Sequence, residues 1–431
     1  MLKARLSLIF FLACSCLILQ AQTFKHPYSF YGIGIPEDQA TARNAGMAGI
    51  SVSGGNEFSY SPVNPATYSL LNYTNFSMSV RGKIFNLSQD TIHSWSNLFS
   101  FGHFGLGFPI SKKLKWNASF GLQPLSRTGY KSVFSIEGGH DTLDFTEKFE
   151  LTGGFSKAYL GSSVKLFRDI YAGVNLNYIF GNTHVYHSML FDDELALLGF
   201  ISEKNSFFGN IGFDFGLHGK FKLNENNFLF AGGYFSPSVK FNISNDEVVT
   251  NFLNEDSKIT FKDTILMTNQ ISGNFSIPLK YGAGLSVLLN NRLFAGIDYK
   301  FEKWSSFSFP GITQNLADQH EFSLGGEYTP NNEDLNYFRR VTYRAGIKYA
   351  LTYLNVPVNL DHTPMQSENL NKAALTIGAG FPIRKTSSFI DVAIEAGKTG
   401  RLYEDIIREY YFLINVGFRF NDNWFIKAKY E

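Results

Sequence analysis

The sequence predicts an all-β protein: a 14-stranded antiparallel transmembrane β-barrel with an N-terminal luminal plug. Three observations carry that expectation. Apolar side chains recur at every second position in one segment after another. The connections between those segments alternate between short and long. Beyond the first 22 residues there is no run of about 18 apolar residues, so a helix cannot supply a membrane crossing.

Composition agrees. The chain has 431 residues, 16% of them aromatic and 17% charged, with 44 phenylalanines and 39 glycines. So aromatic and weakly charged a chain is not disordered. With 38 basic and 37 acidic residues it carries no electrostatic footprint for nucleic acid, which is not expected as a partner. Mean hydropathy is nevertheless close to zero, as two opposed faces would average.

At the N-terminus, Lys3 and Arg5 precede an apolar stretch from Leu6 to Leu19, then Gln20-Ala21-Gln22. This is the layout of a cleaved secretory signal peptide, here residues 1–21. Leu12-Ala13-Cys14 faintly resembles a lipobox, but the apolar run continues past Cys14, which disfavours acylation. Cys14 and Cys16 are the two cysteines of the chain. The exported protein is therefore expected to carry none, which leaves no thiolate metal site or thiol nucleophile.

The barrel is predicted over 73–431. Along Ile170–Gly181, Ile170, Ala172, Val174, Leu176, Tyr178 and Phe180 share one face. Tyr171, Gly173, Asn175 and Asn177 share the other, with Ile179 as the single intruder. A period of two is what a strand with one greasy and one wet side requires. Fourteen such segments run from 73–84 to 408–420, most of them long enough to cross a bilayer on a tilt. Short turns such as Arg168-Asp169 and Asn290-Asn291 alternate with long loops at 85–97, 129–144, 189–205, 243–270, 305–319, 355–372 and 400–407. Tight turns on one side and long loops on the other suit an outer-membrane barrel, with the short turns periplasmic. Trp116 and Trp424 are then expected near the inner interface and Trp304 near the outer one, as aromatic girdles. A soluble sandwich or propeller also alternates, but it has no need for every loop length to alternate as well.

Residues 22–72 do not alternate. Rich in Gly, Ala and Pro and poor in charge, they are expected to fold into the lumen as a plug. Asn64-Pro65 reads as a helix start across 65–71, because Asn caps well and Pro at the first helical position gives up no needed donor.

The order Arg43-Asn44-Ala45-Gly46-Met47-Ala48-Gly49, a polar stretch, then Asn64-Pro65-Ala66 ahead of the first strand resembles the N-terminal hatch of the FadL family. These are the long-chain fatty-acid and hydrocarbon transporters of Gram-negative outer membranes. Weaker likenesses follow at Ile277-Pro278-Leu279-Lys280-Tyr281-Gly282-Ala283-Gly284, at Gly378-Ala379-Gly380-Phe381-Pro382 and at Glu395-Ala396-Gly397. The resemblance implies a lumen closed by the hatch, an outer hydrophobic site, and a lateral exit through an inward kink in the third strand. Gly121 and Pro124 lie in that strand. Proline there removes a ladder donor, which suits either a side opening or a plain bulge.

Chemistry is hard to find. His184 and His187, three apart on a strand, face opposite sides and cannot share a metal. His140-Asp141 is one pair in a predicted loop, and no Gly-x-Ser-x-Gly occurs. Neither an enzyme nor a cofactor is expected. Asp298, Lys300, Glu302, Arg344, Lys348, Asp391, Glu395 and Arg419 fall on the wet face of their strands. At mid-bilayer on the lipid face an Arg or Lys costs roughly 2–4 kcal/mol, so these charges are expected inside, pairing across strands or holding Arg43. The leading expectation is passive uptake of a hydrophobic, fatty-acid-like small molecule across the outer membrane, with membrane lipid around the barrel. The rival is a non-transporting docking subunit of an outer-membrane complex, a type IX secretion or β-barrel-assembly machine. An outer-membrane hydrolase comes third.

Overall fold

The computed structural model describes residues 25–136, 144–191, 198–255, 258–308, 315–358, 366–384, 386–400 and 406–424. The signal-peptide segment and His140-Asp141 lie outside them.

The wall is one closed antiparallel barrel of 14 strands. In chain order they are β1 (Thr74–Gln89), β2 (Ile92–Ser111), β3 (Trp116–Ile136), β4 (Phe145–Phe167), β5 (Ile170–Phe191), β6 (Leu198–Lys222), β7 (Phe228–Ser236 and Val239–Glu255), β8 (Lys258–Ile277 and Lys280–Leu289), β9 (Leu293–Glu302), β10 (Gln319–Tyr328), β11 (Thr342–Val358), β12 (Gln366–Pro382), β13 (Phe389–Thr399) and β14 (Arg408–Asp422). Each pairs with the next, and β14 closes on β1 from Arg408↔Ser88 to Asp422↔Thr74. β7 and β8 are each interrupted at a proline, Pro237 and Pro278, because proline offers the ladder no N–H.

The two-residue period settles each strand's faces. On β5, Val174, Leu176 and Tyr178 are exposed while Tyr171, Asn175, Asn177 and Ile179 are buried. The tight turns take the geometry their residues favour: Asn290 and Asn291 both adopt positive φ (51° and 54°), as a two-residue hairpin turn demands.

Two expectations need correction. The segments 85–97, 129–144, 189–205 and 243–270 are largely strand rather than loop. Asp90-Thr91 alone separates β1 from β2, and β7 and β8 pair from Val239↔Ile277 up to Glu255↔Lys258. Along these extensions adjacent apolar residues such as Val133 and Phe134, or Leu266 and Met267, are exposed together, so the hydrophobic alternation fades while backbone pairing continues. Trp304 is not a girdle residue: it is fully buried, stacks on Tyr353 at 4.6 Å between ring centroids, and donates to Glu302 at 2.8 Å.

Residues 25–72 run along the inward faces of the strands. They include a 3-10 turn Pro27–Phe30, a four-residue helix α1 (Ala42–Ala45) capped by Thr41, and a 3-10 helix Pro65–Leu70. Their close approach is made possible by glycines in the wall. A Cβ on Gly325 would lie 2.4 Å from the Met47 carbonyl oxygen, and one on Gly173 2.5 Å from the Pro65 backbone. At these two positions the backbones come this close because the wall carries no side chain there.

Candidate functional site

Asn64 and Asp298 fasten the N-terminal segment to the wall. Asn64 caps the 3-10 helix by accepting from the Ala66 N–H at 3.1 Å, with Pro65 at its first position. Its amide nitrogen donates to Val52 at 2.7 Å and across to Leu217 of β6 at 3.0 Å. Asp298 accepts the backbone N–H groups of Ser51 and Val52 at 2.6 and 2.7 Å. It therefore binds backbone amides rather than a cation. Asn44 accepts from Met47 and from Gly49 through its carbonyl, and Gly49 needs its positive φ of 80° to make that turn. Gly46 accepts from Thr376 of β12 at 3.3 Å.

The other inward charges form two chains of alternating sign. In the first, Arg43 donates to both oxygens of Glu327. Arg344 bonds Glu327 at 3.0 Å and Asp391 at 2.8 Å, and Arg419 bonds Asp391 at 3.1 Å. In the second, Lys348 reaches Asp38 at 2.6 Å, Lys300 reaches Glu321 at 3.1 Å and the Gly49 carbonyl at 3.3 Å, and Glu395 lies between Lys372 and Tyr411. Glu302 pairs with Lys280 at 2.9 Å. Burial raises the Asp38 carboxyl, but Lys348, Lys300 and Arg81 outweigh it and hold the group well below the usual carboxylate range. Buried charges persist only when paired in this way.

Sequence reasoning missed Glu327, Glu321 and Asp38. The two glutamates share the parity of Ser323 and Gly325 on β10, so the two-residue period contained the signal. Asp38 sits in the segment without period and gave none.

Above these chains the interior is apolar and filled. Phe155, Phe208, Phe241 and Phe275 are buried together, with ring centroids 4.8–5.7 Å apart for the neighbouring pairs Phe155–Phe208, Phe155–Phe275, Phe208–Phe275 and Phe241–Phe275. Ile33, Ile179, Trp304 and Tyr353 pack with them.

The wall has two breaks. β2 and β3 pair only from Ser111↔Trp116 to Phe104↔Leu122. Gly121 is still in register with Gly105, and the ladder ends just before Gln123-Pro124. Past that point the N-terminal segment takes β2's place, with Ile35 opposite Arg127 and Pro36 opposite Ser126. Glu37 N–H donates to Leu125 at 3.0 Å, and Gln39 donates to the Pro124 carbonyl at 2.8 Å. The Glu37 carboxylate pairs with Arg127 of β3 at 2.8 Å and with Arg81 of β1, the strand beyond β2, at 3.3 Å, which anchors the segment beside the break.

The second break lies between β6 and β7. Pairing stops at Phe208↔Ile243 and resumes at Phe215↔Phe235. Only side chains bridge the interval: Asn210 donates to the Lys240 carbonyl, and Ser236 donates to Asp214 at 2.6 Å. Behind it lies a cavity of about 240 Å³.

A closed 14-stranded wall with an N-terminal segment against its inner face is the fold of the FadL-type outer-membrane channels. The chain superposes on the Pseudomonas putida toluene transporter TodX with a TM-score of 0.56 at 15% identity, over 90% of this chain and 100% of that one. A Pseudomonas aeruginosa FadL homologue gives 0.56 at 12% identity over 90% and 100%, and the CymD monoaromatic hydrocarbon channel 0.54 at 12% over 90% and 99%. No curated protein matches the chain. The family model for BamG matches residues 1–431, and the chain belongs to the BamG family.

Proposed function

We propose that this barrel is a non-transporting subunit of an outer-membrane machine, a docking platform in secretion (type IX) or β-barrel assembly, reached through a cleaved signal peptide. The observation that carries the reading is the break at Pro124. Where a lateral exit for a hydrophobic molecule would lie, Ile35–Pro36 occupies the edge of β3 and Glu37 pins the segment there through Arg127 of β3 and Arg81 of β1. In this reading residues 25–72 are a plug that stays in place. Membership of the BamG family supports it. So does the connection between β10 and β11, where Leu335 is fully exposed and Phe338 is 69% exposed on the side of the short turns. Exposed apolar side chains on a turn mark a surface for a protein partner.

Uptake of a fatty-acid-like molecule is the second reading, favoured by the fold shared with hydrocarbon channels. Purification from native membranes in mild detergent separates the two. We expect stoichiometric co-purification of other outer-membrane proteins with the wild type, lost in Phe338→Asp and Leu335→Asp while the barrel keeps its folded electrophoretic mobility. A protein that purifies alone, and that speeds fatty-acid entry into liposomes, would overturn the docking reading.

A further inference from the structure

We propose that the break between β6 and β7 binds the head group of a membrane lipid that carries both a phosphate and an ammonium with N–H donors, its acyl chains remaining outside the wall. This holds whether or not the barrel docks in a machine.

The first argument is depth. Ile211 and Phe213 of β6, Phe235 of β7 and Tyr281 of β8 are exposed apolar residues around the break, whereas Asn242, Ser244 and Asp246, higher on β7, are exposed and polar. The break therefore sits at the rim of the apolar band, where lipid head groups lie. Gly209–Asp214 and Ser236–Asn242 have no ladder partners across it. Irregular backbone at membrane depth is tolerated only where it lines a cavity that supplies polar partners.

The second is what stands behind it. The cavity is bounded by Gly212, Phe213, Pro237 and Val239 at the wall and extends inward to Asp38 and Lys348. About 240 Å³ holds several waters and leaves room for a small head group.

The third is charge. Lys157–Asp214 (3.5 Å), Lys280–Glu302, Lys300–Glu321 and Lys348–Asp38 line this space together with Lys83, Lys372, Glu37 and Glu409, so both signs of charge surround it. A lone anion or cation would meet an opposing charge beside every partner, whereas a zwitterion meets both signs at once. Two buried acceptors on the lining, Asn177 Oδ1 and Gln39 Oε1, have no hydrogen-bond partner in the protein. An acceptor calls for a donor, which a primary ammonium provides and a quaternary one does not.

The test is native mass spectrometry of the full-length protein in detergent, with lysophosphatidylethanolamine, lysophosphatidylcholine, lysophosphatidylglycerol and free phosphoethanolamine as probes. We expect the first to be retained at least tenfold over the choline and glycerol lipids, and free phosphoethanolamine to leave it bound. Asn177→Leu should reduce the preference for ethanolamine over choline severalfold. Gly212→Leu, whose new side chain enters the gap beside Val239, should lower retention of lysophosphatidylethanolamine by tenfold. Pro124→Ala, at the other break, should leave both readings unchanged. Each variant is scored only if heat-modifiable mobility reports a closed barrel. Equal retention of the three lipids, displacement by free phosphoethanolamine, or an unchanged preference in a folded Asn177→Leu would overturn the proposal.

Discussion

The two breaks in the wall both lie next to proline, yet they are closed by different means. At Pro124 the free edge of β3 is taken up by another stretch of backbone, and Glu37 anchors that stretch with ion pairs to β3 and β1. At Pro237 no backbone crosses; Asn210 and Ser236 reach over with side chains, and a cavity lies inside. A proline in a membrane strand is therefore not an opening in itself. What it leaves open is decided by whether something with its own N–H and C=O groups lies against the freed edge. The first break is occupied by the N-terminal segment, and the second is where the lipid head group is proposed to bind.

If that contrast is right, substitutions that loosen the N-terminal segment should destabilise the barrel far more than those at the second break. The largest effect is expected from Arg344→Met, which leaves Glu327 and Asp391 short of a buried cation. Removing one partner of such a set costs roughly 3–5 kcal/mol. The thermal midpoint of the mobility shift on semi-native gels should fall steeply. An unchanged midpoint would mean that the ion chain does not hold the segment. Glu37→Ala comes next. It removes the two ion pairs that anchor the segment at the Pro124 break, about 1.5–3 kcal/mol for hydrogen bonds to charged groups. It should also raise ion conductance in planar bilayers, and a silent, equally stable variant would remove Glu37 from its role as a clasp.

What the sequence made legible follows from where its signal is two-sided. Within the apolar band every strand separates lipid-facing Ile, Leu and Phe from inward Asn, Gly and charge, so the strands and their order can be read from alternation alone. In the extensions of β3 to β8 above the band, exposed apolar residues such as Val133, Phe134, Leu266 and Met267 stand side by side in sequence, and the alternation disappears. The inward charges were legible as inward, but their partners were not. Arg43 meets Glu327 across 284 residues, and Lys348 meets Asp38 across 310, separations no local pattern encodes. Asp298 was legible as a charge yet serves two backbone amides. The break at β6–β7 left a trace in Pro237 and Pro278. Their alignment on neighbouring strands requires the register.

Acid sharpens the contrast further, with a smaller effect. Asp38 belongs to the N-terminal segment and is held ionised by Lys348 and its neighbours, despite burial. Its folded-state affinity for a proton is below its unfolded one, so its contribution is complete above the ordinary carboxylate value of about 3.9 and is lost as pH falls below it. Between pH 7 and 5 the midpoint of Asp38→Asn should lie below that of the wild type by a constant amount. Below about pH 4 the difference between wild type and Asp38→Asn should shrink.

The smallest effect belongs to the second break. Asn210→Ala removes a side-chain hydrogen bond to the Lys240 carbonyl at an exposed position, worth about 0.5–1.5 kcal/mol. The thermal midpoint should move little, because no ladder is lost. Hydrogen exchange at Gly209–Asp214 should nevertheless quicken, since no ladder pair spans the interval between Phe208↔Ile243 and Phe215↔Phe235 and the Ser236–Asp214 bond is then left to hold it. The same measurement on residues 125–127 of β3 should not change. A midpoint loss as large as that of Glu37→Ala would mean that side chains hold this break as firmly as backbone holds the other, and the distinction between scaffold and binding site would fail.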